Sequence, residues 1–328
     1  MKAFSYSSPR SLEGALALLA TPGQDGRTMP IAGGQDLLTE MKEHLAEPDR
    51  LVNLKHVTGL DAIETGADRW KVGALVTLSQ LESHADVTSR ARVLAEAANS
   101  IASPQIRSTG TVGGNLNQRP RCFYYRLEGA KCLKKGGTEC FSYGGNNKYN
   151  AILGGGPSYI VHPSDLAPAL VALDAEVELV SAASGARRLS LESFYTLPSQ
   201  GDVTRETVLR PDELLTHVSI PAPAAGTRST YVKFKERGSY DFALASVALV
   251  VTVEGGVVRR ARLVLGGVAP TPWRVPAAEA ALVGSRLDDE TARKVADLAL
   301  RGAEPLEGNA YKVPLTKALV VRAVRALT

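Results

Sequence analysis

A proline-rich break at residues 220–226, with the sequence IPAPAAG, constrains the fold most because it divides a chain of 328 residues into two parts. Proline has no backbone N–H to donate and glycine adds conformational freedom, so such a run is typical of a domain boundary. The chain also exceeds the roughly 100–200 residues of a usual single domain. The sequence therefore predicts one domain over residues 1–222 and a second over residues 227–328.

Both parts mix helices with strands. In the first part, apolar residues at helical spacing predict helices at 11–20, 37–42, 78–84 and 90–102. Short apolar or alternating runs predict strands at 50–54 and 70–74, and a β-rich stretch over 174–194. The second part predicts a three-stranded meander at 231–235, 245–253 and 259–265, followed by helices at 277–283, 289–301 and 315–327. The predicted fold class is therefore α+β.

Two glycine pairs mark the first candidate binding site. They lie in the segments Ala32-Gly33-Gly34-Gln35-Asp36-Leu37-Leu38 and Thr109-Gly110-Thr111-Val112-Gly113-Gly114-Asn115-Leu116. Glycine lets the backbone approach a phosphate, and unpaired N–H groups at the start of a helix bind anions. A tight strand–helix turn explains either segment alone, but the two together predict a clamp around the diphosphate of a dinucleotide. Neither has the G-x-G-x-x-G spacing of the common NAD-binding fold.

The three cysteines of the chain, Cys122, Cys132 and Cys140, lie close together in one Gly- and Lys-rich segment. Thiolates are soft ligands and nearby lysines favour the thiolate, so the segment predicts metal or iron–sulfur binding, with three unrelated thiols as the alternative. The absence of a C-x-x-C pair disfavours zinc. Three clustered cysteines are also too few for the disulfide framework of a small secreted protein.

Two further segments carry polar groups with more than one explanation. Asp165 follows His162-Pro163-Ser164 and precedes an apolar stretch, where an aspartate is most often a helix cap. Residues 233–242 place charges and aromatic rings beside a predicted strand, and either a solvated loop or a binding site explains this pattern. The sequence shows no Ser-His-Asp triad, no H-E-x-x-H motif and no pair of catalytic carboxylates. These absences disfavour a hydrolytic or hydroxylating centre on this chain.

Charge and hydropathy restrict the partners. A net charge of +4 arises from 38 basic and 34 acidic residues without dense Lys/Arg blocks, so nucleic acid is not an expected partner. The first twenty residues do not have the pattern of a secretory signal, and no apolar run reaches the roughly 18 residues of a membrane span. We expect a cytoplasmic protein without membrane insertion; export inside a folded complex on the signal of a partner is the alternative.

Motifs in order along nearly the whole chain resemble the medium, FAD-binding subunits of the xanthine dehydrogenase family of molybdenum hydroxylases. These motifs are MKAFSY, AGGQDLL, TVGGNL, HPSDLAPAL, SYDFALASVAL, LGGVAPTPWR and NAYKVPLTKAL. The resemblance implies an FAD-binding domain of the vanillyl-alcohol oxidase (PCMH) type with lobes at about 1–56 and 57–222. It also implies a C-terminal domain like that of the CO dehydrogenase flavoprotein, with a three-stranded sheet and helices.

The resemblance also implies which residues hold FAD. Residues 32–38 resemble the diphosphate loop of the family, and Gly110, Thr111, Gly113, Gly114 and Asn115 resemble its second loop. Ile101, Asp165 and Leu215 match positions that line FAD in relatives, and Lys235 matches a position near the isoalloxazine ring.

The segment 119–158 resembles an insertion in the FAD subunits of 4-hydroxybenzoyl-CoA reductase and periplasmic aldehyde oxidoreductase, which carry an additional four-iron (4Fe-4S) cluster. The resemblance implies Cys122, Cys132 and Cys140 as cluster ligands. The fourth cysteine of those relatives is replaced by Ser158. We therefore expect a four-iron cluster with a non-cysteine ligand such as Ser158, with a three-iron cluster as the alternative.

The activity implied by the resemblance is electron transfer through FAD between iron–sulfur clusters and an external acceptor or donor. The implied partners are a large subunit that binds molybdopterin and a small subunit with two-iron (2Fe-2S) clusters, in a heterotrimer or its dimer. Substrate hydroxylation then takes place on a partner. The alternative is a self-sufficient FAD oxidoreductase similar to the cell-wall enolpyruvyl reductases, which the NAYKVPL segment disfavours.

Overall fold

The computed structural model describes residues 1–21 and 27–328. Its strands are β1 (Ser5–Ser7), β2 (Thr28–Ile31), β3 (Arg50–Asn53), β4 (Ile63–Thr65), β5 (Arg69–Gly73), β6 (Glu176–Ser181), β7 (Gly185–Ser190), β8 (Glu213–Pro221), β9 (Thr227–Phe234), β10 (Ala245–Glu254), β11 (Val257–Gly266) and β12 (Trp273–Arg274). Its helices are α1 (Leu12–Ala20), α2 (Leu37–Lys42), α3 (Leu78–Ser83), α4 (Ala85–Arg90), α5 (Arg92–Asn99), α6 (Pro104–Arg107), α7 (Val112–Leu116), α8 (Phe123–Arg126), α9 (Leu166–Ala172), α10 (Leu191–Phe194), α11 (Pro276–Leu282), α12 (Asp289–Ala299) and α13 (Lys312–Arg325).

The strands form three sheets in the described part of the chain. A small parallel sheet has the order β1-β3-β2, and an antiparallel sheet has the order β4-β5-β8-β6-β7. The third sheet, β12-β11-β10-β9, is antiparallel and begins after the proline-rich break. The predicted meander of three strands is present, and the two-residue strand β12 extends it at one edge.

Two large cores hold these layers together. The first joins the five-stranded sheet to α5 and α9, and Trp70 is fully buried within it. The second packs α11, α12 and α13 against the last sheet. Helix α5 also packs on β9, so residues before the proline-rich break contact the sheet that follows it. No helix among the described residues has the length and apolar character needed to cross a membrane.

Candidate functional site

The two glycine loops lie side by side, although about 75 residues separate them in sequence. A Cβ atom on Gly33 would lie 2.3 Å from the carbonyl oxygen of Thr109, so only glycine permits this approach. The side chain of Gln35 donates a hydrogen bond to the Thr109 hydroxyl at 2.6 Å. Gly34 has a φ of +71°, in the left-handed region where a side chain is strained. The glycines therefore bring two loops together into one surface.

The first loop presents a row of unengaged backbone donors. Within the described residues, no hydrogen bond engages the N–H groups of residues 33–37, which lead into α2. Successive N–H groups at a helix start form a site for an anion, and the helix dipole adds a favourable field. This row has the chemistry required for one face of a phosphate site.

The second loop differs from our expectation that both loops offer backbone N–H groups. Gly113 donates to the carbonyl of Ala74 at 2.8 Å, and Gly114 donates to the Thr111 hydroxyl at 3.1 Å, which caps α7. A Cβ on Gly113 would lie 2.9 Å from the Ala74 side chain, so this glycine serves close packing. In this loop as described, only the N–H of Thr111 among residues 109–115 lacks a hydrogen-bond acceptor.

Asn115 and Asp165 are both buried and both engaged with side chains. The Asn115 Oδ1 atom accepts a hydrogen bond from the Ser164 hydroxyl at 2.6 Å. Asp165 stands at the start of α9 but makes no cap bond. Its carboxylate forms a buried ion pair with Lys233 at 2.7 Å and accepts a hydrogen bond from the Tyr231 hydroxyl at 2.6 Å. The helix-cap explanation of Asp165 is therefore wrong, and its charge is matched inside the protein.

A cavity of about 350 Å³ lies between α5, β9 and α13. Its lining includes Lys235, Tyr231, Lys233 and Ser100, the last of which directly precedes Ile101. Ile101 and Leu215 lie in the first core, each 7% exposed, so they contribute only a small part of their surface to any bound ring. Lys235 donates to the carbonyl of Ser239 at 2.7 Å from the exposed end of β9.

All four predicted cluster residues line a second, much smaller cavity of about 10 Å³. Cys122, Cys132, Cys140 and Ser158 contribute to its wall, together with aromatic and aliphatic side chains. Cys132 and Ser158 are buried, and burial raises the pKa of the Cys122 thiol. Among the described residues, no group of three or more His, Cys, Asp or Glu side chains is arranged to hold one metal ion. The convergence of three thiols and a hydroxyl is a finding of the structure that the sequence spacing could only suggest.

Hydrogen-bond donors and one cation surround the sulfur atoms. The Asn150 Nδ2 atom donates to the Cys122 sulfur at 3.8 Å, and the Ser142 hydroxyl lies 3.0 Å from the Cys140 sulfur. Lys134 lines the same cavity and is paired with Glu206 at 2.8 Å. The Asn150 donor favours the Cys122 thiolate and so opposes the burial that raises the pKa of this thiol, and such a donor also suits a sulfur that ligates a metal.

The segment after the cysteines is held by side chains from the start of α13. The Tyr311 hydroxyl donates to the carbonyl of residue 148, Lys312 to that of 149, and Asn309 to those of 150 and 151, at 2.8–3.2 Å. Four consecutive carbonyls are thus bound by one short motif, the NAYK segment at 309–312. This contact orients the Asn150 side chain that reaches Cys122.

Several site residues were missed in the sequence. Tyr231 and Lys233 lie on one face of β9, and the alternation of strand side chains is the signal that relates them. Lys235 follows one residue after the end of β9. The contacts of Asn309 and Lys312 had no such signal, because their partners lie about 160 residues earlier.

The sequence matches two domain families. Residues 2–223 match the FAD binding domain in molybdopterin dehydrogenase, and residues 229–327 match the CO dehydrogenase flavoprotein C-terminal domain. The chain therefore belongs to the FAD-binding medium subunits of the xanthine dehydrogenase family, and it is an oxidoreductase subunit that binds FAD. The family and the fold class predicted from the sequence are confirmed.

Similar proteins cover nearly the whole chain. The aldehyde oxidoreductase FAD-binding subunit PaoB of Escherichia coli is 37% identical over 97% of this chain and 96% of its own length. The carbon monoxide dehydrogenase medium chain of Hydrogenophaga pseudoflava is 30% identical over 98% and 96%. A solved structure of that dehydrogenase lacking the Mo-pyranopterin moiety superposes with a TM-score of 0.78 at 30% identity, over 99% of this chain and 96% of the other. Quinoline 2-oxidoreductase from Pseudomonas putida gives a TM-score of 0.77 at 27% identity, over 100% and 98%.

Proposed function

We propose that this chain is the electron-transfer subunit of a heteromeric molybdenum hydroxylase and that its glycine loops hold the diphosphate of FAD. The observation that carries this placement is the row of unengaged N–H groups at residues 33–37, beside the N–H of Thr111. These donors bind a diphosphate without requiring a charged side chain. Bound FAD supplies the capacity to take up and release electrons singly or in pairs.

The proposed division of labour follows from the contacts. The first loop binds phosphate oxygens, and the hydrogen bond from Gln35 to Thr109 joins it to the second loop. Asn115, in the second loop, accepts through Oδ1 and retains its Nδ2 group as a donor. Ile101 and Leu215 border the site from the core, while Asp165 and Lys235 fix its more distant end. Asp165 acts in combination with Lys233, because the two charges neutralise one another.

Flavin content tests this placement. Gly34→Val places a branched side chain at a φ of +71°, and Gly114→Val places its Cβ 3.0 Å from the Thr111 hydroxyl oxygen that caps α7. Each is expected to lower the flavin absorbance of purified, folded protein, whereas Gly238→Val lies in open space and serves as the matched control. Stoichiometric flavin in both loop variants, with normal circular dichroism, would refute the placement.

We also propose that Cys122, Cys132 and Cys140 ligate an iron–sulfur cluster, with Ser158 as the candidate fourth ligand. The support is the convergence of these four residues on one cavity, with a hydrogen-bond donor at the Cys122 sulfur and the Ser142 hydroxyl 3.0 Å from the Cys140 sulfur. A cavity of about 10 Å³ has the size of a single water molecule, so insertion of a cluster requires the loop at 119–158 to open. Iron and sulfide analysis with electron paramagnetic resonance tests the proposal. A chain without iron after anaerobic reconstitution would refute it.

The partners proposed are a molybdopterin-binding large subunit and a small subunit with two-iron clusters. Several relatives are named medium chains of carbon monoxide dehydrogenases or the medium subunit of a nicotine 6-hydroxylase, which supports an assembly of this kind. Co-purification from the native source with a molybdenum assay would identify the partners, and cell fractionation would test the expected cytoplasmic location.

We expect no hydroxylation of aldehydes, purines or aromatic thioesters by the isolated chain, and robust activity free of molybdenum would refute the subunit assignment.

A further inference from the structure

Asp36 belongs to both the first glycine loop and the contacts of the cysteine loop. Its N–H is part of the unengaged row at 33–37, while its side-chain oxygens bind residues of the segment 119–126. Aspartate at the start of a helix usually accepts a bond from that helix, but the Asp36 carboxylate makes no such bond. It instead contacts residues that flank Cys122, so its orientation needs another explanation.

The contacts of the Asp36 carboxylate are specific. Its Oδ1 atom lies 2.9 Å from an Nη2 atom of both Arg121 and Arg126. Its Oδ2 atom accepts a hydrogen bond from the backbone N–H of Arg119 at 2.7 Å. One carboxylate therefore binds two guanidinium groups and one backbone group of a single short segment.

This short segment, residues 119–126, carries the first cysteine. Arg121 directly precedes Cys122, and the N–H of Arg126 donates to the Cys122 carbonyl at 3.0 Å. The Arg126 guanidinium also donates to the carbonyls of Pro120 and Arg119, at 2.8 and 3.2 Å. Arg126 thus ties its own loop together, and Asp36 anchors that loop to the glycine loop.

The pairing is partly shielded from water. The side chains of Asp36, Arg126 and Arg121 are 15%, 12% and 27% exposed. Attraction between charges at this depth is screened less than at a free surface. Glu40, on α2, lies 3.7 Å from the Arg126 guanidinium and adds to the negative side of the contact. Glu43, one residue past α2, lies 3.5 Å from the same guanidinium but is 37% exposed, so solvent screens its charge more strongly. A displacement of the cysteine segment therefore disturbs the contacts of the Asp36 carboxylate.

We propose that Asp36 couples occupancy of the flavin site to the order of the cysteine loop. Phosphate bound at residues 33–37 fixes the backbone of Asp36, and the fixed carboxylate then holds residues 119–126. Because coupling between two sites is reciprocal, a closed cysteine loop raises flavin affinity by the same factor. The inference rests on the proposed flavin site, and it makes Asp36 a positioning residue whose side chain serves the cysteine loop.

Hydrogen exchange of the full chain tests the coupling without any need for iron. FAD added to flavin-free wild-type protein is expected to slow amide exchange in peptides that cover residues 119–126. Asp36→Asn keeps the N–H and the size of the side chain but removes the charge, so this slowing should be lost while FAD still binds. Glu43→Gln removes another carboxylate near the same Arg126 but lies outside the glycine loop, and it should behave as wild type.

A flavin titration with iron-loaded and iron-free protein measures the same coupling from the other side. Iron loading is expected to tighten FAD binding about fivefold or more in wild type and to leave it unchanged in Asp36→Asn. Arg121→Gln removes one partner without touching the glycine loop. As a single substitution it should weaken FAD binding, and it should have no further effect when combined with Asp36→Asn. The effects of substitutions at residues that act through one another are not additive.

The outcomes separate the inference from the proposed function. Equal protection of residues 119–126 in wild type and Asp36→Asn, or additive effects of the two substitutions, would overturn the role of Asp36. Failure of wild type to bind FAD would refute the flavin site and the coupling together. Failure to take up iron would refute only the cluster, and hydrogen exchange would still decide the role of Asp36.

Discussion

Replacement of Lys312 by Met is expected to reduce the dependence of stability on pH. Lys312 is fully buried, and its Nζ atom donates to the carbonyls of Tyr149 and Gly267 at 2.8 Å each. Carbonyl oxygens satisfy its hydrogen bonds but do not balance its charge. Burial therefore lowers the pKa of Lys312 to about 7.

The direction and size of the effect follow from linkage. In the unfolded chain a lysine has a pKa of about 10.4, so between pH 7 and that value the unfolded state holds a proton that the folded state lacks. Stability must therefore rise with pH across this window. Below about pH 7 Lys312 is protonated in both states, so the folded state carries the full cost of the buried charge. At about 1.36 kcal/mol for each unit of pKa difference, the free energy of unfolding rises by about 5 kcal/mol in total, and about 3.5 kcal/mol of this rise falls between pH 7 and pH 10.

Urea unfolding at pH 7, 8, 9 and 10 measures this contribution. Wild type should gain about 3.5 kcal/mol relative to Lys312→Met over this range. At pH 10 the variant should be the less stable protein, because two buried carbonyls lose their donor at about 1–3 kcal/mol each. Lys317→Met, on the same helix but exposed and paired with Asp297, serves as the control and should follow wild type. A difference between wild type and Lys312→Met that stays constant within about 1 kcal/mol across the range would refute the lowered pKa.

Three further outcomes are expected. Gly33→Ala places a Cβ 2.3 Å from the Thr109 carbonyl oxygen, and an overpacking cost of about 1–3 kcal/mol should weaken FAD binding about 5- to 150-fold in a fluorescence titration, with Gly238→Ala unchanged. Ser158→Cys completes an all-cysteine site, so iron per chain should rise and any three-iron paramagnetic signal should disappear; unchanged iron and spectrum would argue against ligation at this position. Asp165→Asn leaves Lys233 buried without its counter-charge and should cost about 3–5 kcal/mol in urea unfolding, a loss that a fully stable variant would contradict.

Local patterns in the sequence predicted the local features of the site. Helix α2 occupies the predicted residues 37–42, because Gly34 and the apolar spacing after it define a helix start within a few residues. The predicted helix at 90–102 is shorter in the structure, where α5 ends at Asn99. The residue Ala102 just beyond has a positive φ of 44°, which a helix does not allow.

Long-range contacts were beyond prediction from one sequence. Nothing near Lys233 indicates that it neutralises Asp165, which lies 68 residues earlier. Similarly, Asp36 has the position of a helix cap, and only the fold shows its carboxylate among the arginines of the cysteine loop. Strand β12 has two residues, too few for any alternation of apolar and polar positions to appear.

The hydrogen bonds from the NAYK segment to the carbonyls of residues 148–151 have a consequence for biosynthesis. The carbonyls are made about 160 residues before the side chains that bind them. At roughly 5–20 residues per second, the ribosome needs about 8–30 s to cover that interval. The cysteine segment leaves the ribosome before Asn309 and Lys312 do, so for a period of this order it lacks the contacts that fix its end. For the iron–sulfur cluster proposed above, this is a period during synthesis in which metal delivery would meet an unclosed loop, and the contacts of Asn309 and Lys312 would end it.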